Sequence, residues 1–247
     1  LAEDNNKRIN DILAELQKKS YKKGTIEQKL SDFYKQALDM ESRNKAGIAP
    51  VKPLLDEMEA AKSKADLEKI QLKYAAQGYG VSFGGGFGAD EKNVTMNIFQ
   101  LSQGGLTLGQ KDYYVNNDEA TVAIREAFKK YIADMFKLYG FSAEQAEEKA
   151  QAVFQHETML ALISKSATEL RNPQANYNKM TLKEFQSSYP NLHLEEMCNA
   201  EGIKSEFIQD MIVGQPAFME GLDKITAAES AATLKALMEW DVITSSA

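Results

Sequence analysis

The sequence predicts a mainly α fold, a multi-helix lobe with one small β hairpin at about residues 80–103. Three observations carry that prediction. Apolar residues recur at helical spacing through most of the chain. Ser and Thr caps with Glu or Gln three residues on precede several of these stretches. Only one region, Gly78–Asp90 followed by Val94–Gln103, has β-branched and aromatic residues bounded by Gly and Asp.

The elements follow in order. From Glu3 to Ser20, Ile9, Ile12, Leu13 and Leu16 mark one helical face, and Gly24 ends the pattern. Ile26, Leu30, Phe33, Tyr34, Ala37 and Leu38 share the face of a second helix. Gly47, Pro50 and Pro53 predict a loop over Asn44–Pro53, after which Pro53 opens a helix over Leu54–Ala61. Ser63 caps the next helix, which runs to Ala76, with Asp66 in its first turn. The hairpin strands meet through a turn at Asp90–Asn93. Helices resume with Thr121–Tyr139, stopped by Gly140. Ser142 and Gln145 form a capping box for a helix running to about Lys165. Thr181 with Glu184, and Thr226 with Glu229, predict two more capped helices. The last helix carries Leu234, Leu237, Met238 and Trp240.

At 247 residues with 43% hydrophobic and 26% charged residues, the chain has the composition of a globular protein with a substantial core. Its net charge of −7, with both signs interspersed, argues against a nucleic-acid binder, which needs a basic face. No apolar run is long enough to span a bilayer. The one cysteine, Cys198, has no partner for an internal disulfide and reads as a packed helical thiol. Leu1 in place of an initiator Met, and a last helix without a glycine stop, predict a piece of a longer chain.

Several patterns imitate catalytic motifs. His156-Glu157 begins like a zincin helix, but the residue four positions after His156 is Leu160, so the second ligand is missing. The other histidine, His193, leaves a two-histidine site with Glu157 or Glu195 as an alternative. The glycines between Gly78 and Gly88 precede Ala89-Asp90-Glu91 instead of Gly-Lys-Ser/Thr, which points to a bulged strand or close backbone approach instead of a phosphate loop. Arg171, beside Asn172-Pro173, can either grip a substrate carboxylate or buttress a turn through carbonyls, Glu169 or Glu157; the turn-forming Pro173 and Asn178 favour the second. Tyr113 and Tyr114 read as packed rings with satisfied hydroxyls. Glu147-Glu148 and Glu195-Glu196 diverge around their helices and read as solvated faces. No Ser-His-Asp set can be assembled. Catalytic, cofactor-binding and metal-ligating residues are therefore assigned to none of the positions in this chain.

Two segments carry a family likeness. Arg171–Leu182, R-N-P-Q-A-N-Y-N-K-M-T-L, resembles the Arg-Pro turn and Tyr-Asn-x-Met-Thr-Leu of the neprilysin-type zinc metallopeptidases. Gln103–Tyr114, Q-G-G-L-T-L-G-Q-K-D-Y-Y, is similar to that family's Gln-x-Gly-Leu-Gly-Leu-Pro-x-(Arg/Lys)-Asp-Tyr-Tyr. The likeness begins at Leu1 and extends to the final helix, where Trp240 falls at the family's Trp. Gly109 replaces the usual proline, the Gly84–Gly88 run is unusual, and Ala37 stands at a cysteine position of the eukaryotic members, which suggests a bacterial, disulfide-free type.

The resemblance implies a parent with two mainly helical lobes around a cavity. The other lobe would hold zinc through H-E-x-x-H and a downstream E-x-x-x-D, and this chain has neither. Residues 1–247 would be the noncatalytic N-terminal lobe of an oligopeptide-hydrolysing endopeptidase, limiting access by size and inactive alone. In the family, Glu157 would be a scaffold residue. The implied partners are the catalytic lobe and peptide substrates, with no cofactor on this chain, no nucleic acid and no membrane span. The implied location is extracytoplasmic, the bacterial periplasm or cell surface. The competing reading is a stand-alone helical binding or scaffold domain, and an enzyme acting through this chain's own residues comes last.

Overall fold

The computed structural model describes residues 2–79 and 82–246, so Leu1, Gly80, Val81 and Ala247 lie outside the description. Gly80 of the glycine run and the two chain ends are among these. Twelve α-helices and one four-stranded sheet are present among the described residues, as the mainly α prediction requires. The chain divides into two compact units, residues 1–50 and 51–247.

The first unit holds α1 (Ala2–Leu16), α2 (Ile26–Leu38) and α3 (Met40–Ala46). Gly24, at φ +92°, makes the turn that no L side chain takes readily, and Thr25 Oγ1 then accepts the Gln28 N–H to start α2. Asp39 caps α3 through the Ser42 N–H at 2.9 Å. The loop predicted from Asn44 therefore begins later, because that cap draws residues 40–46 into a helix. Neither α1 nor α3 buries a residue, and α2 buries only Ser31.

The second unit opens with α4 (Lys52–Ala60) and α5 (Lys64–Ala75). The antiparallel hairpin β1 (Phe83–Asp90) and β2 (Asn93–Gln103) follows, its register shifting between Ala89 and Asp90. Glycine lets β2 side chains fold across β1. A Cβ on Gly85 would stand 3.3 Å from Leu101 and Phe99, and Gln100 Nε2 crosses Gly88 to donate to the Ala89 carbonyl at 3.0 Å. Gly84–Gly88 thus form a regularly paired strand with close approach from its neighbour, and the irregularity falls just after them, between Ala89 and Asp90.

A short α6 (Asp112–Val115) leads into α7 (Glu119–Leu138) and α8 (Ala143–Ile163). The Ser142–Gln145 capping box is present. Strand β3 (Lys179–Thr181) runs into α9 (Leu182–Ser188), which has the predicted Thr181–Glu184 box. After α10 (Leu194–Ala200), strand β4 (Asp210–Val213) pairs parallel to β2 and antiparallel to β3, giving the order β1-β2-β4-β3. The predicted hairpin is thus one half of a larger sheet. Helices α11 (Pro216–Ala228) and α12 (Ala231–Ser246) complete the unit.

The predicted capping box at Thr226 does not form. Thr226 lies inside α11, and Ser230 starts α12 instead, its hydroxyl accepting the Thr233 N–H at 3.0 Å. Pro216 starts α11 one element earlier than the Thr-x-x-Glu pattern suggested.

Helix α8 packs on α7, α11 and α12 and joins the cores. Phe136, Ile132 and Val153 centre one between α7, α8 and α12; Phe185, Met211 and Phe218 centre another under the sheet; Leu67, Met58 and Val242 form a third. Full burial of such side chains contributes roughly 1.5–3 kcal/mol each.

Candidate functional site

A cavity of about 580 Å³ opens within the second unit among α5, α8, α10, α11, α12 and the loop after β2. Gly105 shapes that loop. It has φ +78°, and an added Cβ would lie 2.8 Å from Leu160 and 3.1 Å from the Ser82 backbone. Phe83, Leu106, Leu222, Leu237 and Trp240 supply apolar wall, His156 and Glu157 are buried polar residues, and Glu229 adds a side chain that is only 6% exposed.

Glu157 is fully engaged. Its Oε2 accepts the Thr107 N–H at 3.0 Å and the Tyr114 hydroxyl, and its Oε1 accepts the Thr107 hydroxyl at 2.7 Å. Burial pushes its pKa up, against the lowering effect of these bonds. Burial and the neighbouring Glu157 charge likewise raise the Tyr114 phenol. Tyr114 also accepts the Leu108 N–H at 3.0 Å, so its ring is packed and its hydroxyl satisfied, as predicted, while Tyr113 is exposed.

His156 points its Nδ1 at Oε1 of Glu229 in a buried contact that is off the line of a regular hydrogen bond. Its Nε2 lies 3.5 Å from Ser82 Oγ. His193 also lines the cavity, yet its side chain is exposed and its backbone is left-handed at φ 47°. Among the described residues no group of three or more His, Cys, Asp and Glu is placed to hold a metal ion. The residues present do not fit zinc. Glu157 is occupied, His156 faces Glu229, and Glu195 does not line the cavity with them.

The two distinctive sequence segments meet in a hydrogen-bonded clip. Gln103 exchanges two bonds with the Lys165 backbone, at 2.8 and 2.9 Å, and its own N–H donates to Gln215 Oε1 at 2.8 Å. Gln215 Nε2 then donates to Asn176 Oδ1 at 3.1 Å. Asn178 Nδ2 reaches the Val213 carbonyl at 3.0 Å, and the Tyr177 hydroxyl donates to Asp90 at 2.9 Å. Lys92 at the hairpin turn stands over the Tyr177 ring.

Arg171 does not perform the buttressing expected of it. Among the described residues its exposed guanidinium has no hydrogen-bond partner, and Glu169 accepts from Ser166 instead. Asn176, which donates to the Leu170 and Asn172 carbonyls at 2.8 Å, holds the turn. A short amide one turn away reaches those carbonyls without ordering a long side chain.

The sequence model of peptidase family M13, for the family's N-terminal part, matches residues 1–247. The chain belongs to peptidase family M13. Relatives include neprilysin-3 of Drosophila melanogaster, 25% identical over 90% of this chain and 30% of its own length. Endothelin-converting enzyme-like 1 of Rattus norvegicus is 28% identical over 68% of this chain and 23% of its own. The chain thus spans under a third of the curated relatives it matches. The fold is similar to that of part of the Mycobacterium tuberculosis zinc metalloprotease Zmp1, solved with an inhibitor, at a TM-score of 0.85, 23% identity, 96% coverage of this chain and 36% of that one. PepO from Lactobacillus rhamnosis matches at a TM-score of 0.77 and 18% identity, over 97% of this chain and 38% of that one.

Within this M13 chain, sequence reasoning found Glu157 and Tyr114 but missed Glu229, Gln215 and Asn176. The Thr226–Glu229 spacing marks Glu229 only as a helix-capping residue, and no local pattern marks Gln215 and Asn176, which bond each other across 39 positions.

Proposed function

We propose that this chain is the noncatalytic N-terminal lobe of a neprilysin-like zinc metalloendopeptidase acting on oligopeptides. The zinc and its ligands would belong to a catalytic lobe elsewhere in the same protein, and residues 1–247 would help enclose the substrate cavity and limit entry by size.

The observation that carries this reading is the apolar stripe on the first unit. Ile9, Ile12, Ile26, Leu30, Phe33 and Leu38 are 45–74% exposed although each lies on the apolar face of its helix. An unpaired stripe of this kind marks an interaction surface, and a lobe that packs against the rest of a larger peptidase needs one. Membership of the M13 family and the names of its peptidase relatives support the activity. No helix among the described residues is long and apolar enough to cross a membrane. We place the parent protein outside the cytoplasm, in a periplasm or at a cell surface, in line with its family resemblance.

The test is substrate size. The full gene product should cleave fluorogenic oligopeptides and leave denatured casein intact, and the 247-residue chain alone should cleave neither. Equal cleavage of casein would remove the size filter. Peptide cleavage by the chain alone would remove the noncatalytic assignment.

A further inference from the structure

The cavity in the second unit contains a charge that the chain itself leaves short of partners. Glu229 caps α11 at its C-terminus, and its side chain is 6% exposed. Among the described residues its one ionic neighbour is His156 Nδ1, and its Oε1 receives no aligned hydrogen bond from them. Burying a carboxylate is costly unless it is paired and hydrogen-bonded.

The surrounding charges do not relieve it. Lys64 directs its Nζ to the Thr226 and Ala227 carbonyls, at 2.6 and 3.5 Å. Lys69 is exposed and makes no ion pair with it among the described residues. Glu68 and Asp241 line the same cavity and add negative charge. The walls are apolar, and Trp240 offers an indole among them.

We propose that this cavity binds a small organic cation with an apolar body. Its ammonium would lie against Glu229 and its hydrocarbon against Leu222, Leu237 and Trp240. The charged end supplies the missing donors to the carboxylate. Trp240, with Leu222 and Leu237, covers the hydrocarbon tail and removes it from water. A volume of about 580 Å³ falls in the range typical of small-molecule sites. An anion meets Glu229, Glu68 and Asp241, and a neutral apolar molecule leaves Glu229 as it was. The site is formed wholly by this chain and does not depend on the peptidase reading.

Trp240 is the only tryptophan, so its emission reports directly on the cavity. The experiment titrates the chain at neutral pH with octylamine, octanol and octanoate, three probes with the same tail. The expected result is a saturable emission change, with octylamine binding about tenfold tighter than octanol and octanoate weakest. Glu229→Gln should bring octylamine to the level of octanol. Octylamine and octanoate binding equally, or no saturable response to octylamine, would overturn the proposal. So would a folded Glu229→Gln chain that keeps the preference. If that variant fails to fold, the three-probe comparison on the unaltered chain decides alone.

Discussion

Glu157 accepts both the backbone N–H and the hydroxyl of Thr107, at 3.0 and 2.7 Å, from a helix that lies fifty positions further along the chain. One carboxylate thereby fixes the loop between the sheet and α6, and the Tyr114 hydroxyl closes the arrangement on its second oxygen.

Glu157→Ala should therefore be costly. It strands the Thr107 and Tyr114 donors in a buried site, and unpaired donors of this kind cost roughly 1–3 kcal/mol each. We expect denaturant unfolding to show a loss of about 3 kcal/mol or more. Thr107→Val, which removes one hydroxyl donor, should cost about 1 kcal/mol.

Gly105→Ala tests the backbone at the cavity. The new Cβ meets Leu160 at 2.8 Å and Ser82 at 3.1 Å, in a conformation with positive φ. We expect a loss of about 2 kcal/mol or more. The control is Gly24→Ala, where φ is also positive but nothing lies within 4 Å, and the loss should be smaller. Equal losses would show that packing against Leu160 is irrelevant.

Glu239 gives a pH signature. It is wholly buried with Lys149 Nζ at 2.5 Å, and Lys149 also reaches Glu59 at 3.4 Å. Burial pushes its pKa up to about 7, although Lys149 pulls the other way. The folded state then holds a proton more tightly than the unfolded chain between the ordinary value of 4.5 and about 7. Its contribution to stability is full below 4.5 and is lost as pH rises through 7. Relative to Glu239→Gln, the unaltered chain should gain up to about 3 kcal/mol when acidified across that window. A stability difference that is flat with pH would contradict this.

Cys198 should be inert. It is 4% exposed, and burial, with Glu201 nearby, raises its thiol to about 11. Labelling by a disulfide reagent should be slow in the folded chain and fast in denaturant. Fast labelling of the folded chain would show that α10 opens readily.

Much of this architecture was legible because local chemistry specified it. The Ser142 and Thr181 boxes, the Ser63 cap and the glycine ribbon each act over three or four residues. Strands β3 and β4 were not legible, since runs of three and four residues are too short for a period. The Thr226 pattern misled because Pro216 had already started the helix that contains it. The polar groups of the cavity come from distant segments, and His156 and Glu229 become neighbours only through the packing of α8 on α11.

The measurement that bears most directly on the lobe assignment is the intact mass and zinc content of the native gene product. The account predicts a polypeptide far heavier than 27.5 kDa carrying about one zinc per chain. A zinc-free product of 27.5 kDa would contradict it and leave a helical binding domain.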